Sequence, residues 1–229
     1  MAEKDTGEST PGIVHAVQVM DTLRSPGGCP LDAKQTHESL VKYLLEESHE
    51  LAEAIENGDR DNMREELGDV LLQVLFHTRI AQEHPSEPFG IEDVAEDLAR
   101  KLEFRHPHVF ADVTVESAEE VNANWEKLKN LEKSRDSILD GIPLAMGALA
   151  RAQKVISRAQ RNELMVNALE SMSENVDNRT DAEKIGFELL SIVQRAAGLG
   201  VDAEGALRQT LHRVEGSVRR AESTQIDTP

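Results

Sequence analysis

At 229 residues the chain is long enough for one large domain or two smaller ones, so a core can form without disulfides or structural metals. Aromatic residues make up 3% of it, and 43 Asp plus Glu outnumber 25 Lys plus Arg, leaving a net charge of −18. A surface of that sign repels nucleic acid polymers and anionic membranes, and a single cysteine, Cys29, excludes an internal disulfide or a cysteine-based zinc site.

The first residues, MAEKDTGESTPG, lack the apolar run of a secretion signal, and no stretch approaches the roughly 18 apolar residues of a membrane span. A cytoplasmic protein is expected. Residues 1–11 and 223–229 are Ser/Thr/Asp/Pro-rich and aperiodic, which predicts disordered tails. A first helix is expected from Ile13 to Arg24, with Val14, Val17 and Met20 towards its apolar side, and Ser25-Pro26-Gly27-Gly28 breaks it. The loop SPGGCPLDAKQ follows. Thr36 suits the N-cap of a second helix running to about Asn57, whose apolar stripe is Leu40, Leu44, Leu51 and Ile55; Asn57-Gly58 is its stop. A third helix, from about Asp61 to Glu83, carries Leu67, Val70, Leu71, Val74 and Thr78 on one side and ends before His84-Pro85. These two predict an αα-hairpin. Further helices are expected at about 91–105, 117–134, 144–162, 181–198 and 202–222, with loops at RHPHVFADVT, DGIP and NVDNRTD. No alternating strand of useful length occurs, so the expected fold class is all-α.

An internal echo aligns EELGDVLLQVL at 65–75 with EKIGFELLSIV at 183–193 without gaps. It suggests a worn second repeat over 141–222 behind a first domain over 12–140; chance similarity between amphipathic helices is the alternative.

The chemistry gathers on two adjoining helices. Glu46-Glu47-Ser48-His49-Glu50 lies within the second, Glu66-Leu67-Gly68-Asp69 within the third, and in each a pair of carboxylates three apart shares one face. A solvated acidic face would look similar. Yet like charges three or four apart cost a helix about 0.2–0.5 kcal/mol per pair, and Glu46, Glu50 and Glu53 stack on one side without an interleaved lysine. Glu47 and Glu66 also border the apolar stripes along which the helices pack, which draws both pairs towards a shared site. All-oxygen donors with an incomplete shell suit Mg²⁺ or Mn²⁺ completed by substrate phosphates. Lys101 and Arg105 share one helix face, Trp125 and Lys129 another. They are either ordinary surface charges and a packing tryptophan or the phosphate and base contacts that an acidic chain needs for an anionic substrate.

In order along the chain, CPLD-x-x-QTHESL, LLEESHELAEAIE, REELGDVLLQVLFH, KLEFRHPHVF, NWEKLK and SILDGIP followed by RAQK resemble the MazG family over residues 13–160. At the position of Leu31 many relatives carry Trp, so an aromatic contact near the substrate entrance is expected to be missing. The resemblance implies a homodimer of helical domains that cleaves nucleoside triphosphates to monophosphate and pyrophosphate, cleaning the nucleotide pool. It places Mg²⁺, with Mn²⁺ able to substitute, on Glu47, Glu50, Glu66 and Asp69. Glu46 and Glu47 take the catalytic places near the attacking water, and Lys101, Arg105, Trp125 and Lys129 fall on the substrate-binding positions. Two rival readings stay open. One is a di-iron carboxylate bundle, since Glu46-x-x-His49 and Glu103-x-x-His106 fit Glu-x-x-His, although Pro107 pushes His106 out of the α region. The other is a non-catalytic nucleotide-binding helical dimer. No Gly-x-x-x-x-Gly-Lys loop is present, so a P-loop enzyme is excluded.

Overall fold

The computed structural model describes residues 11–226 apart from 112, 116, 118, 119, 122, 123, 126, 127, 129–135 and 165–179. The chain divides into two compact units, Met1–Lys129 and Asn130–Pro229, and all regular structure among the described residues is helical. No helix among them is long and apolar enough to cross a membrane.

The first unit contains α1 (Gly12–Arg24), a 3₁₀ turn (Asp32–Lys34), α2 (His37–Asn57), α3 (Arg60–Ala81), α4 (Ile91–Arg105) and the short α5 (Pro107–Phe110). The loop expected at RHPHVFADVT therefore holds one helical turn. Thr36 caps α2 reciprocally: its hydroxyl accepts from Ser39 N at 3.2 Å, and its own N–H donates to Ser39 Oγ at 2.9 Å. Gly58, at φ +68°, ends α2 in the left-handed region, and the Asp59 side chain accepts from Asn62 N at 3.1 Å to start α3. A two-residue link leaves the helices no choice but to run antiparallel, and this hairpin is the most extensive helix pairing in the unit.

Behind the hairpin, α1 and α4 pack on α3 around a core of Met20, Leu40, Leu75 and Phe76, flanked by Ala16, Val17, Leu71, Ile80 and Ile91. The expected apolar stripes hold at Leu40, Leu71 and Thr78 and need correcting at other positions. Ile55 is 56% exposed, Leu67 51% and Val74 37%, while α3 buries Glu66, Gln73, Leu75, Phe76, Thr78 and Ala81. Periodicity identified an apolar side of α3, but the core seam against α1 and α4 runs through Leu75 and Phe76. The loop after α1 doubles back so tightly that a Cβ on Gly28 would lie 2.3 Å from Thr22 O, and Cys29 N donates to Leu23 O at 2.7 Å.

The second unit contains α6 (Ala148–Arg161), α7 (Asp181–Gly198) and α8 (Ala203–Ile226) around Ile156, Val193 and Ala203. Helix α6 starts four residues after the expected position, and α8 continues past 222 into the expected tail. There Ser223 and Thr224 turn their hydroxyls onto Arg219 O and Arg220 O, each at 2.9 Å, so both polar side chains are satisfied within the helix. Burial agrees at some aligned positions, Leu75 and Val193 being 5% and 1% exposed and Leu67 and Ile185 51% and 57%, but buried Glu66 and Gln73 align with exposed Lys184 and Ser191.

Candidate metal centre

Glu47 of α2 and Glu66 and Asp69 of α3 each offer a carboxylate oxygen, and these atoms lie within 4.8 Å of one another. The hairpin makes this geometry. Antiparallel pairing sets the middle of α2 against the first half of α3, and the i,i+3 spacing of Glu66 and Asp69 keeps both on the side facing α2. Glu66 is buried, Glu47 and Asp69 half-buried, and Glu50 exposed at the rim.

Burial and mutual repulsion govern the electrostatics of these carboxylates. Burial first, and then the charges of Glu50, Asp69, Glu47 and Glu65, hold the Glu66 carboxyl above the usual carboxylate range. Glu47 is raised in the same way, by burial and then by Asp69, Glu50 and Glu46, and it shares a hydrogen bond with Glu50. Glu66 Oε2 is buried with no hydrogen-bond partner among the described residues.

Of the residues singled out from sequence, the structure draws Glu47, Glu66 and Asp69 into one tight group, with Glu50 alongside. Glu46 is exposed and acts on the group only through its charge on Glu47. Arg105 is buried at 7% exposure, and its guanidinium carbon lies 5.2 Å from the centroid of the Trp125 ring, so these two meet. Lys101 is half-buried, and Lys129 lies outside the described residues.

The di-iron alternative loses its second motif. His106 sits at the C-cap of α4 with φ −122° and ψ 55°, and its Nδ1 is 2.7 Å from Leu102 O, off the helix face that Glu103 occupies.

Residues 35–110 match the family model described as the MazG nucleotide pyrophosphohydrolase domain. A nucleoside triphosphate pyrophosphohydrolase of Escherichia coli K12 is 37% identical over 227 residues, covering 89% of this chain and 84% of that protein. The chain belongs to the MazG family. A 26.1 kDa protein of Streptomyces cacaoi is 46% identical over 92% of this chain and 82% of its own length. A nucleoside triphosphate pyrophosphohydrolase of Mycolicibacterium smegmatis is 48% identical over 77% of this chain, which spans only 56% of that longer protein. The matched span of this MazG chain opens just before the α2 cap and closes with α5, so it takes in all four carboxylates together with Lys101 and Arg105.

Three features went unnoticed in the sequence. Arg24, whose side chain is 6% exposed, donates to Glu83 and to the carbonyls of Asp32 and Gln35. His37 and His77 stack with their rings 5.1 Å apart and their Nδ1 atoms at 2.8 Å. Gln73 is buried at 4% exposure between Asp69 and His77 along α3. For Gln73 and His77 a signal existed: both continue the i, i+3/i+4 row begun by Glu66 and Asp69.

Proposed function

We propose that this chain hydrolyses nucleoside triphosphates, ribo and deoxy, to the monophosphate and pyrophosphate with a divalent cation, Mg²⁺ or in its place Mn²⁺. The observation that carries this reading is Glu66: a buried carboxylate with a free oxygen, facing two more carboxylates within 4.8 Å. Three anions so close, on two helices with no lysine between them, suit a hard cation that leaves positions for phosphate oxygens. Glu47, Glu66 and Asp69 would hold it, with Glu50 completing the set. Bound there, the cation supplies charge neutralisation for the triphosphate and a place for the attacking water.

The chain's own residues account for the rest. Glu46 and Glu47 take the catalytic places beside the attacking water, which they would orient and relieve of its proton. Arg105 and Lys101 would bind phosphate oxygens, as would Lys129, four residues beyond Trp125 in the sequence, and the Trp125 ring would give a stacking face for a base. The reading includes a homodimer: Val41, Leu45 and Ile55 of α2 and Leu67 and Val74 of α3 leave apolar surface open beside the carboxylates, which a second copy would cover. It also includes a cytoplasmic role in clearing nucleotide pools, and a degenerate repeat in the second unit.

The experiment is to incubate the pure chain with each NTP and dNTP plus Mg²⁺ and identify products. Monophosphate and pyrophosphate are expected; orthophosphate as first product, or full activity in EDTA, overturns the proposal.

A further inference from the structure

Three buried side-chain atoms lack a hydrogen-bond partner among the described residues, and all three belong to α3: Glu66 Oε2, Gln73 Oε1 and His77 Nε2. At i, i+7 and i+11 they fall on one face of the helix, the face that α2 covers. Glu66 lies in the field of Glu47 and Glu50 of α2, and His77 stacks on His37 at the start of α2 with the ring planes 4° apart. Gln73 stands between them, one turn from Asp69 on one side and one turn from His77 on the other. Helical side chains lean towards the N-terminus, so the His77 ring lies over the turn of Gln73, and the Gln73 amide over the turn of Asp69.

The unmatched groups are chemically complementary. His37 and His77 approach Nδ1 to Nδ1 at 2.8 Å, so one of the two carries the proton there. Burial, and then the charge of His37, favour the neutral ring at His77. If His37 donates, His77 accepts on Nδ1 and bears its proton on Nε2, a donor without an acceptor. Gln73 Oε1, one turn away, is an acceptor without a donor. Its NH₂ group remains, and Asp69 beyond it is acceptor-only when ionised. Glutamine alone among uncharged side chains of that length can accept on one side and donate on the other.

We propose that Gln73 is a positioning residue that ties the His37–His77 pair to the carboxylate cluster: neither bond is made in the structure, but a rotation of the Gln73 side chain would bring its amide oxygen to accept from His77 Nε2 and its amide nitrogen to donate to Asp69. Held from behind, Asp69 presents its carboxylate towards Glu47 and Glu66 in one orientation, and the cation site is pre-organised rather than assembled on binding. This rests on the reading that Glu47, Glu66 and Asp69 hold a divalent cation.

The test uses the full chain with Gln73→Met, of similar length but without the amide, and Gln73→Asn, which keeps the amide one methylene shorter. In the metal-free wild type, histidine ¹⁵N–¹H correlation should show His77 as the Nε2–H tautomer with a slowly exchanging proton. Gln73→Met should speed that exchange at least tenfold and weaken Mn²⁺ binding, read by electron paramagnetic resonance, three- to tenfold, with Gln73→Asn intermediate. In turnover, the metal concentration for half-activity should rise by more than kcat falls. An Nδ1–H tautomer at His77 in the wild type, or a folded Gln73→Met chain with wild-type Mn²⁺ affinity, overturns the proposal. If Gln73→Met does not fold, Gln73→Asn is judged by the same two readings. A wild type that binds no Mn²⁺ would sink the metal reading, and Gln73 would then stand or fall on the His77 tautomer and its response to substitution.

Discussion

Arg24 grips both oxygens of Glu83 across 59 residues, Nε to Oε1 at 2.8 Å and Nη2 to Oε2 at 2.9 Å. Its remaining nitrogen donates to the carbonyls of Asp32 at 2.6 Å and Gln35 at 3.1 Å. One guanidinium thus joins the end of α1, the end of α3 and the loop that delivers α2. Arg24→Ala should cost about 2 kcal/mol by urea unfolding, the scale of hydrogen bonds to a charged group, and Arg24→Lys should recover little because an ammonium cannot make the fork. The Arg24 hydrogen bond also holds the Glu83 carboxyl below its usual range. That stabilisation is complete above the unfolded value and is lost as pH falls through the lowered folded one, so Arg24→Ala should flatten the acid side of the stability profile.

The carboxylate cluster predicts the opposite sign for Glu66. Its folded pKa is raised by burial and by Glu50, Asp69 and Glu47, so above that raised value the ionised side chain destabilises the metal-free fold, and the penalty fades as pH falls towards 4.5. Glu66→Gln should therefore melt higher than wild type at pH 7 in EDTA, with the gap closing in acid. Adding Mg²⁺ should raise the Tm of the wild type and leave the variant unmoved, while turnover of the variant falls at least a hundredfold. A variant less stable than wild type at pH 7 in EDTA would show that Glu66 is a structural acid.

At His77, burial and His37 hold the folded pKa below 6.5, so the neutral ring costs nothing above the unfolded value and a penalty accumulates as pH drops from 6.5 through the lowered one. Differential scanning fluorimetry should show wild-type stability declining across that window. His77→Gln should decline less there, since it removes the titrating ring. Equal profiles for the two chains would rule out His77 as a source of the slope.

Much of this is legible in the sequence. Thr36 and Gly58 bound α2 as local chemistry dictates, and Glu47, Glu66 and Asp69 declared themselves by spacing because a helix converts i,i+3 directly into adjacency. What escaped shares a cause. The Arg24 fork, the His37–His77 stack and the tight approach at Gly28 depend on which helix lies opposite which, and no local periodicity carries that. Leu67 and Val74 misled for the same reason: apolar spacing marks a face that seeks cover, whereas the chain's own core is built on the neighbouring seam through Leu75 and Phe76.

Arg105 and Trp125 make a separable prediction. With the guanidinium 5.2 Å from the centre of the indole ring, each holds the other in place. Trp125→Phe should keep a platform for the guanidinium and change KM for NTP by less than about threefold, whereas Trp125→Ala should raise it more than tenfold with a smaller fall in kcat, on the order of 1–2 kcal/mol of lost stacking. Identical KM values for both variants would move the substrate pocket elsewhere.

The second unit offers the sharpest contrast within one chain. If 183–193 repeats 65–75, Lys184 stands where Glu66 does and Phe187 where Asp69 does. Lys184 pairs with Asp181 at 3.6 Å, a charge of the wrong sign for a cation site, and the half-buried Phe187 offers no lone pair. Among the described residues, the carboxylate group at Glu47, Glu66 and Asp69 is the one cluster able to hold a metal, and it lies in the first unit. Yet Val193 keeps the buried place of Leu75, and Ile185 the exposed place of Leu67. On the repeat reading, these packing positions would have outlasted the ligand positions because burial stabilises a fold whether or not it carries carboxylates. Full-length chain should accordingly bind Mn²⁺ only through the first unit, and Glu66→Gln combined with Asp69→Asn should abolish all binding. Restoring acids in the second unit, with Lys184→Glu and Phe187→Asp, should not recover it, since α6, the helix packed most extensively against α7, carries no Asp or Glu. Removing residues after Gln160 should leave metal-dependent turnover within about threefold while lowering the Tm by several degrees, as loss of a packed unit does. Residual Mn²⁺ binding in the doubly substituted full chain would give the second unit a site of its own and end the degenerate-repeat reading.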